Sequence, residues 1–98
     1  MDIQHQIVVD LLEAFIEDPY NFAFLWVQSN SFRKDSYAVW AAEEILEQIE
    51  HNLEIPPLFI LENFRDKMGV YMCLNSHTSY IFEVAYDAAE YFIDLLTD

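Results

Sequence analysis

Apolar residues recur along this chain at steps of three and four, with acids filling many of the positions between them. Over residues 3–16 the period is carried by Ile3, Ile7, Val8, Leu11, Leu12 and Phe15, which predicts a helix and not an alternating strand. Asp18-Pro19 ends it, because proline disfavours helical geometry in the residue before it. The same pair suits the N-cap and first position of a second helix, over about 19–28. The stretch from Tyr20 to Val27 is apolar nearly all round and holds no charge, so it is expected to be buried on most sides, with a buried strand as the competing reading.

Residues 29–36 are polar and loop-like, with Asp35 or Ser36 placed to cap a third helix running to about Asn52. Its expected inward stripe is Ala42, Ile45, Leu46, Ile49 and Leu53. Ile55-Pro56-Pro57 breaks the pattern, and Pro57 suits the first position of a fourth helix whose inward residues are Leu61, Phe64, Met68, Tyr71 and Met72, with Gly69 a place to kink or end it. After a loop over 75–79, with Thr78 or Ser79 as N-cap, a fifth helix runs to near Leu96 and turns Ile81, Ala85, Ala88, Phe92 and Leu95 inward. The expectation is an all-α, compact bundle of about five helices, forming a single acidic helical domain over 1–98 with no repeat and no low-complexity segment.

Two of these segments carry acids at identical spacing: Glu43, Glu47, Glu50 and Glu54 in one, and Glu83, Asp87, Glu90 and Asp94 in the other. Steps of four, three and four return to one helical face, so each segment is expected to present a row of carboxylates toward solvent with no cation interleaved. Like charges at this spacing weaken a helix by a few tenths of a kcal/mol per pair, so the rows carry a local cost.

The charge total changes the picture further. Eighteen acids stand against four bases, for a formal net charge of −14. Residues 1–32, 36–54 and 68–98 each hold five acids and no Lys or Arg, and all four bases lie between those blocks. Such a charge repels nucleic acid and anionic membranes and steers the chain toward basic proteins. At 54% hydrophobic and 16% aromatic residues, the chain is nevertheless expected to fold. The N-terminus has no basic region before its apolar positions and no apolar run spans a bilayer, so a cytoplasmic protein without membrane association is expected. Cys73, the single cysteine, has no partner for a disulfide or thiolate metal site and is expected in the core.

Catalytic constellations are missing. His5, His51 and His77 have no paired spacing, Glu-x-x-His does not occur, and one glycine leaves no phosphate or calcium loop. His51 suits a cation at a helix C-terminus. Solvent-exposed Glu43, Glu44 and Glu47 would lack the burial that separates an acid from a base. A non-enzymatic protein without cofactor or metal is therefore expected.

Each row covers eleven residue steps, about 16 Å at the helical rise, comparable to about five phosphates at ~3.4 Å along one strand of a duplex. The sharper reading is an acidic binding protein that mimics nucleic acid and occupies the basic groove of a DNA- or RNA-binding protein or nuclease, with Tyr91 as an aromatic anchor at the edge of the second row. In charge pattern and architecture the chain resembles the DNA-mimic inhibitors deployed by phages and mobile elements against restriction or CRISPR nucleases; no residue motif carries that likeness. The other reading is an interaction or homo-oligomeric assembly module. Phe22, Phe24, Trp26, Phe32, Tyr37 and Trp40 crowd around Arg33-Lys34, and if Trp26, Phe32 and Trp40 are exposed, a homodimer or an apolar protein groove is implied.

Overall fold

The computed structural model describes residues 3–22, 34–74 and 79–97. Among them are four α-helices: α1 (Ile3–Glu17), α2 (Lys34–His51), α3 (Pro57–Leu74) and α4 (Ser79–Thr97), with a 3₁₀ turn at Pro19–Asn21 after α1. All-α architecture is as expected, but the helix expected over 19–28 is not entered at its start. Asp18 makes no side-chain cap, the turn closes only i→i+3 bonds at Asn21 and Phe22, and Phe22 is already extended at φ −114° and ψ 140°. Extension sends the Phe22 ring against Phe15 at 5.2 Å and toward Tyr91 at 6.5 Å, contacts that a continuing helix would not favour. The remainder of that expected helix, with Trp26, lies outside the described residues, as do Phe32, His77 and Thr78.

Pro57 opens α3 as its fixed φ allows, and Phe59 and Ile60 both donate their backbone N–H to the Pro56 carbonyl. α2 is already helical at Lys34, ahead of Asp35 and Ser36, the residues expected at its N-cap. Its far end is closed by side chains: Asn52 Nδ2 donates to the Gln48 carbonyl at 2.8 Å, and the His51 ring lies 2.8 Å from the Glu47 carbonyl. Gly69 does not end α3, which runs on to Leu74. A Cβ there would stand 3.3 Å from the Tyr86 ring of α4, so the missing side chain lets the two helices approach closely. Gly69→Ala exchanges that tight contact for about 1 kcal/mol of helix propensity. Because the neighbour is a half-buried ring and not backbone, a net gain of a few tenths of a kcal/mol is expected in urea unfolding.

The core is built from matching stripes. α1 contributes Val8, Leu12 and Phe15; α2 contributes Ala38, Ala41, Ala42, Ile45 and Ile49; α3 contributes Ile60, Leu61, Phe64 and Met68; α4 contributes Val84, Ala85, Ala88, Ala89, Phe92 and Ile93. α4 packs along α3 and also against α2, and α1 packs on α2. The alanines on the α2 and α4 stripes remove side-chain bulk where helices meet. His5 is the buried polar side chain of α1, and no buried side-chain nitrogen or oxygen among the described residues lacks a hydrogen-bond partner. Several expected inward residues are corrected. Leu53 lies beyond the end of α2 and is exposed, Leu95 and Tyr71 are exposed, and Leu46, Met72 and Ile81 are only half-buried. Cys73, expected in the core, is exposed on the same face of α3 as Glu62 and Asp66. Among the described residues no helix is long and apolar enough to cross a membrane.

Candidate functional site

The first acidic row stands on α2 directly opposite that helix's buried stripe. At 3.6 residues per turn, Glu43, Glu47 and Glu50 fall within an arc of about 60°, and all three are exposed. No ion pair among the described residues reaches them. Glu43 borders a shallow groove of about 340 Å³ with Pro19, Ser36 and Val39, where the 3₁₀ turn meets α2. Glu54 departs from the expected ladder. α2 ends at His51, so Glu54 sits in the turn before α3 and lines a separate cleft of about 430 Å³ with Gln4, His5, Leu53, Ile55, Pro56 and Pro57. The helical part of the row is therefore three glutamates, with Glu54 as an exposed acid beyond the helix end.

Glu83, Asp87, Glu90 and Asp94 all lie on α4, again within an arc of about 60°. Glu83 and Asp94 are exposed, whereas Asp87 and Glu90 are half-buried. α3 places Arg65 near this row, a contact invisible in a row read along one segment. The guanidinium is hydrogen-bonded to Asp66 at 3.2 Å and feels the charge of Glu90. Partial burial works against its charged form, but the hydrogen bond and charge of Asp66, with Tyr86 and Glu90 behind them, hold its pKa above the ordinary value. The second row is thus partly offset on its α3 side, whereas no ion pair among the described residues reaches Glu43, Glu47 or Glu50.

Each row lies opposite its own helix's buried stripe. α2 and α4 pack on each other, and Tyr37 and Tyr80 meet across that contact with ring centroids 5.8 Å apart. The whole body measures 39 × 30 × 23 Å.

No family model, no curated protein and no solved structure matches this chain.

The aromatic candidates separate as well. Tyr91 is half-buried, with its ring 6.0 Å from Phe92, and so belongs to the core boundary beside the second row. Trp40, at 37% exposure, leans on Phe64 with ring centroids 6.2 Å apart, so part of its face is spent inside the bundle. Trp26 and Phe32 cannot be joined to it within the described residues. One further pattern, missed in the sequence, is the solvent-facing apolar edge of α1 at Ile3 and Ile7. The signal was there: Ile3, Ile7 and Leu11 run a third of a turn away from Val8, Leu12 and Phe15, too wide a set for one buried stripe.

Like-charge crowding on α2 has a measurable signature. Glu47→Lys converts two repulsive neighbours, Glu43 and Glu50, into attractive ones and places a cation in the helix's last turns, so stability is expected to rise by about 0.5–1 kcal/mol. Urea unfolding at low and high salt checks it, the gain shrinking as salt is added.

Proposed function

We propose that this chain is a non-enzymatic acidic binding protein that presents its carboxylate rows to a cationic surface, and that the surface is the nucleic-acid-binding groove of a basic protein. The observation that carries this reading is the row Glu43, Glu47 and Glu50: three exposed carboxylates held on one face of a packed helix, with no ion pair to them among the described residues. Fixed acids on a rigid helix lose little entropy on docking, and Lys or Arg side chains that otherwise neutralise phosphates meet them at comparable spacing.

The experiment is a salt titration of binding to a DNA-binding protein with a basic cleft, with a labelled duplex as the competitor. Steep weakening with salt and displacement of the duplex are expected. Binding unaffected by salt, or a ternary complex in which duplex and chain are held together, would contradict the reading. An inhibitor of restriction or CRISPR nucleases is the specific form of this function that the charge pattern suggests, and displacement of the duplex from such a nuclease is its direct assay.

A further inference from the structure

The exposed edge of α1 is an apolar stripe that no other described element covers. Ile3 and Ile7 are 79% and 52% exposed, Ala14 is exposed, and Leu11 is half-buried at the stripe's inner margin. Steps of four, four and three place these residues within an arc of about 80° and along about 16 Å of helix. Asp10, Glu13 and Glu17, all exposed, form a continuous edge on the side of the stripe away from the core, Asp10 accepting a hydrogen bond from Gln6 Nε2 at 2.8 Å. An apolar strip bordered by carboxylates is the complement of a helix with an apolar strip bordered by Lys and Arg.

We propose that this face of α1 docks a basic amphipathic helix of a partner protein, its apolar residues along Ile3, Ile7, Leu11 and Ala14 and its cations against Asp10, Glu13 and Glu17. Charge selects this occupant over a second copy of the chain. Two copies would bring anionic edges together, and residues 1–32 contain no Lys or Arg to offset them. The apolar residues on the outer face of α3, Phe59, Val70 and Leu74, make a poorer stripe because Asn63, Asp66 and Lys67 interrupt them. The proposal rests on the reading of the chain as a binder of basic proteins and adds to it a contact surface and a ligand shape that the acidic rows do not define.

Two synthetic peptides test it: one of leucine and lysine with leucines at helical spacing and lysines on one flank, and a scramble of equal composition. Calorimetry on the full chain is expected to give about tenfold tighter binding for the periodic peptide, with amide shifts along α1. In a chain carrying Ile3→Ser and Ile7→Ser, both exposed positions, that preference is expected to vanish while the weaker, salt-sensitive binding common to both peptides persists. Equal affinity of the two peptides, or shifts confined to α2 and α4, would overturn the α1 proposal and leave the acidic-row reading standing. If neither peptide binds at low salt, both fail. Concentration-dependent dimerisation of the peptide-free chain that the serine pair abolishes would assign the face to a second copy instead.

Discussion

A chain with Glu43, Glu47 and Glu50 all reversed to lysine is expected to fold normally and to lose about hundredfold or more in affinity for a cationic groove. The reversals move the net charge by +6, from −14 to −8. All three side chains point away from the core, so no packing is disturbed. Each exchange removes one attraction and installs one repulsion. At about 0.2–1 kcal/mol for an exposed pair, counted twice at three sites, the loss reaches a few kcal/mol. Stability should remain within about 0.5 kcal/mol of the parent, as for surface changes that touch no special feature. Reversing Glu83 and Asp94 is expected to cost less, because those residues share their row with half-buried Asp87 and Glu90, and Arg65 already offsets part of that row's field. Equal losses per reversed residue in the two rows would show that total charge, and not the α2 row, governs binding.

The second large effect concerns the body that holds the rows. Phe92 is fully buried, lies edge-on to Phe15 with ring centroids 4.9 Å apart, and touches Tyr91. Phe15 in turn contacts Phe22, so one aromatic chain ties α1 and the segment after it to α4. Phe92→Ala is expected to cost about 3–5 kcal/mol through lost burial and the cavity left behind. That is about a fifth or more of the 5–15 kcal/mol typical of a small domain. The urea midpoint should fall by roughly 2 M or more. Leu95→Ala, on the exposed side of the same helix, is expected to change stability by less than about 0.5 kcal/mol. A Phe92 variant within about 1 kcal/mol of the parent would contradict the placement of this ring at the centre of the core.

Which parts of this molecule can be read from its sequence follows from what periodicity encodes. A three- and four-residue step fixes that a segment is helical and which of its residues share a face. It does not fix which helix that face will meet. α1, α3 and α4 were therefore legible in extent, with proline marking the start of α3 at Pro57. The inward faces of α2 and α4 were legible through Ala42, Ile45, Ile49, Ala85, Ala88 and Phe92, all of them buried. Residues 19–22 depart from the helix expected there, in a stretch whose apolar composition all round carries no phase: the chain makes a 3₁₀ turn and leaves it extended at Phe22, whose ring meets Phe15 and faces Tyr91. Cys73 was misplaced because residue type was weighed above phase, for its position shares a face with Glu62 and Asp66. Both Leu53 and Glu54 were assigned to a helical pattern that Asn52 and His51 had already closed.

The candidate site shows the same limit. That the α2 carboxylates face outward was legible, since they lie opposite the apolar stripe. That Glu54 falls outside the helical part of its row was not, because it depends on where α2 ends. Nor was the approach of Arg65 to Glu90, which crosses from α3 to α4 and joins residues far apart in the chain.

The most direct test of the central claim is affinity capture from an extract of the chain's native cell at low and at high salt, using the parent protein beside the Glu43, Glu47 and Glu50 reversal. The account predicts that the parent retains a basic nucleic-acid-binding protein at low salt, releases it as salt rises, and that the reversed chain retains none of it. A partner held equally well by both chains, or undiminished in high salt, would contradict it.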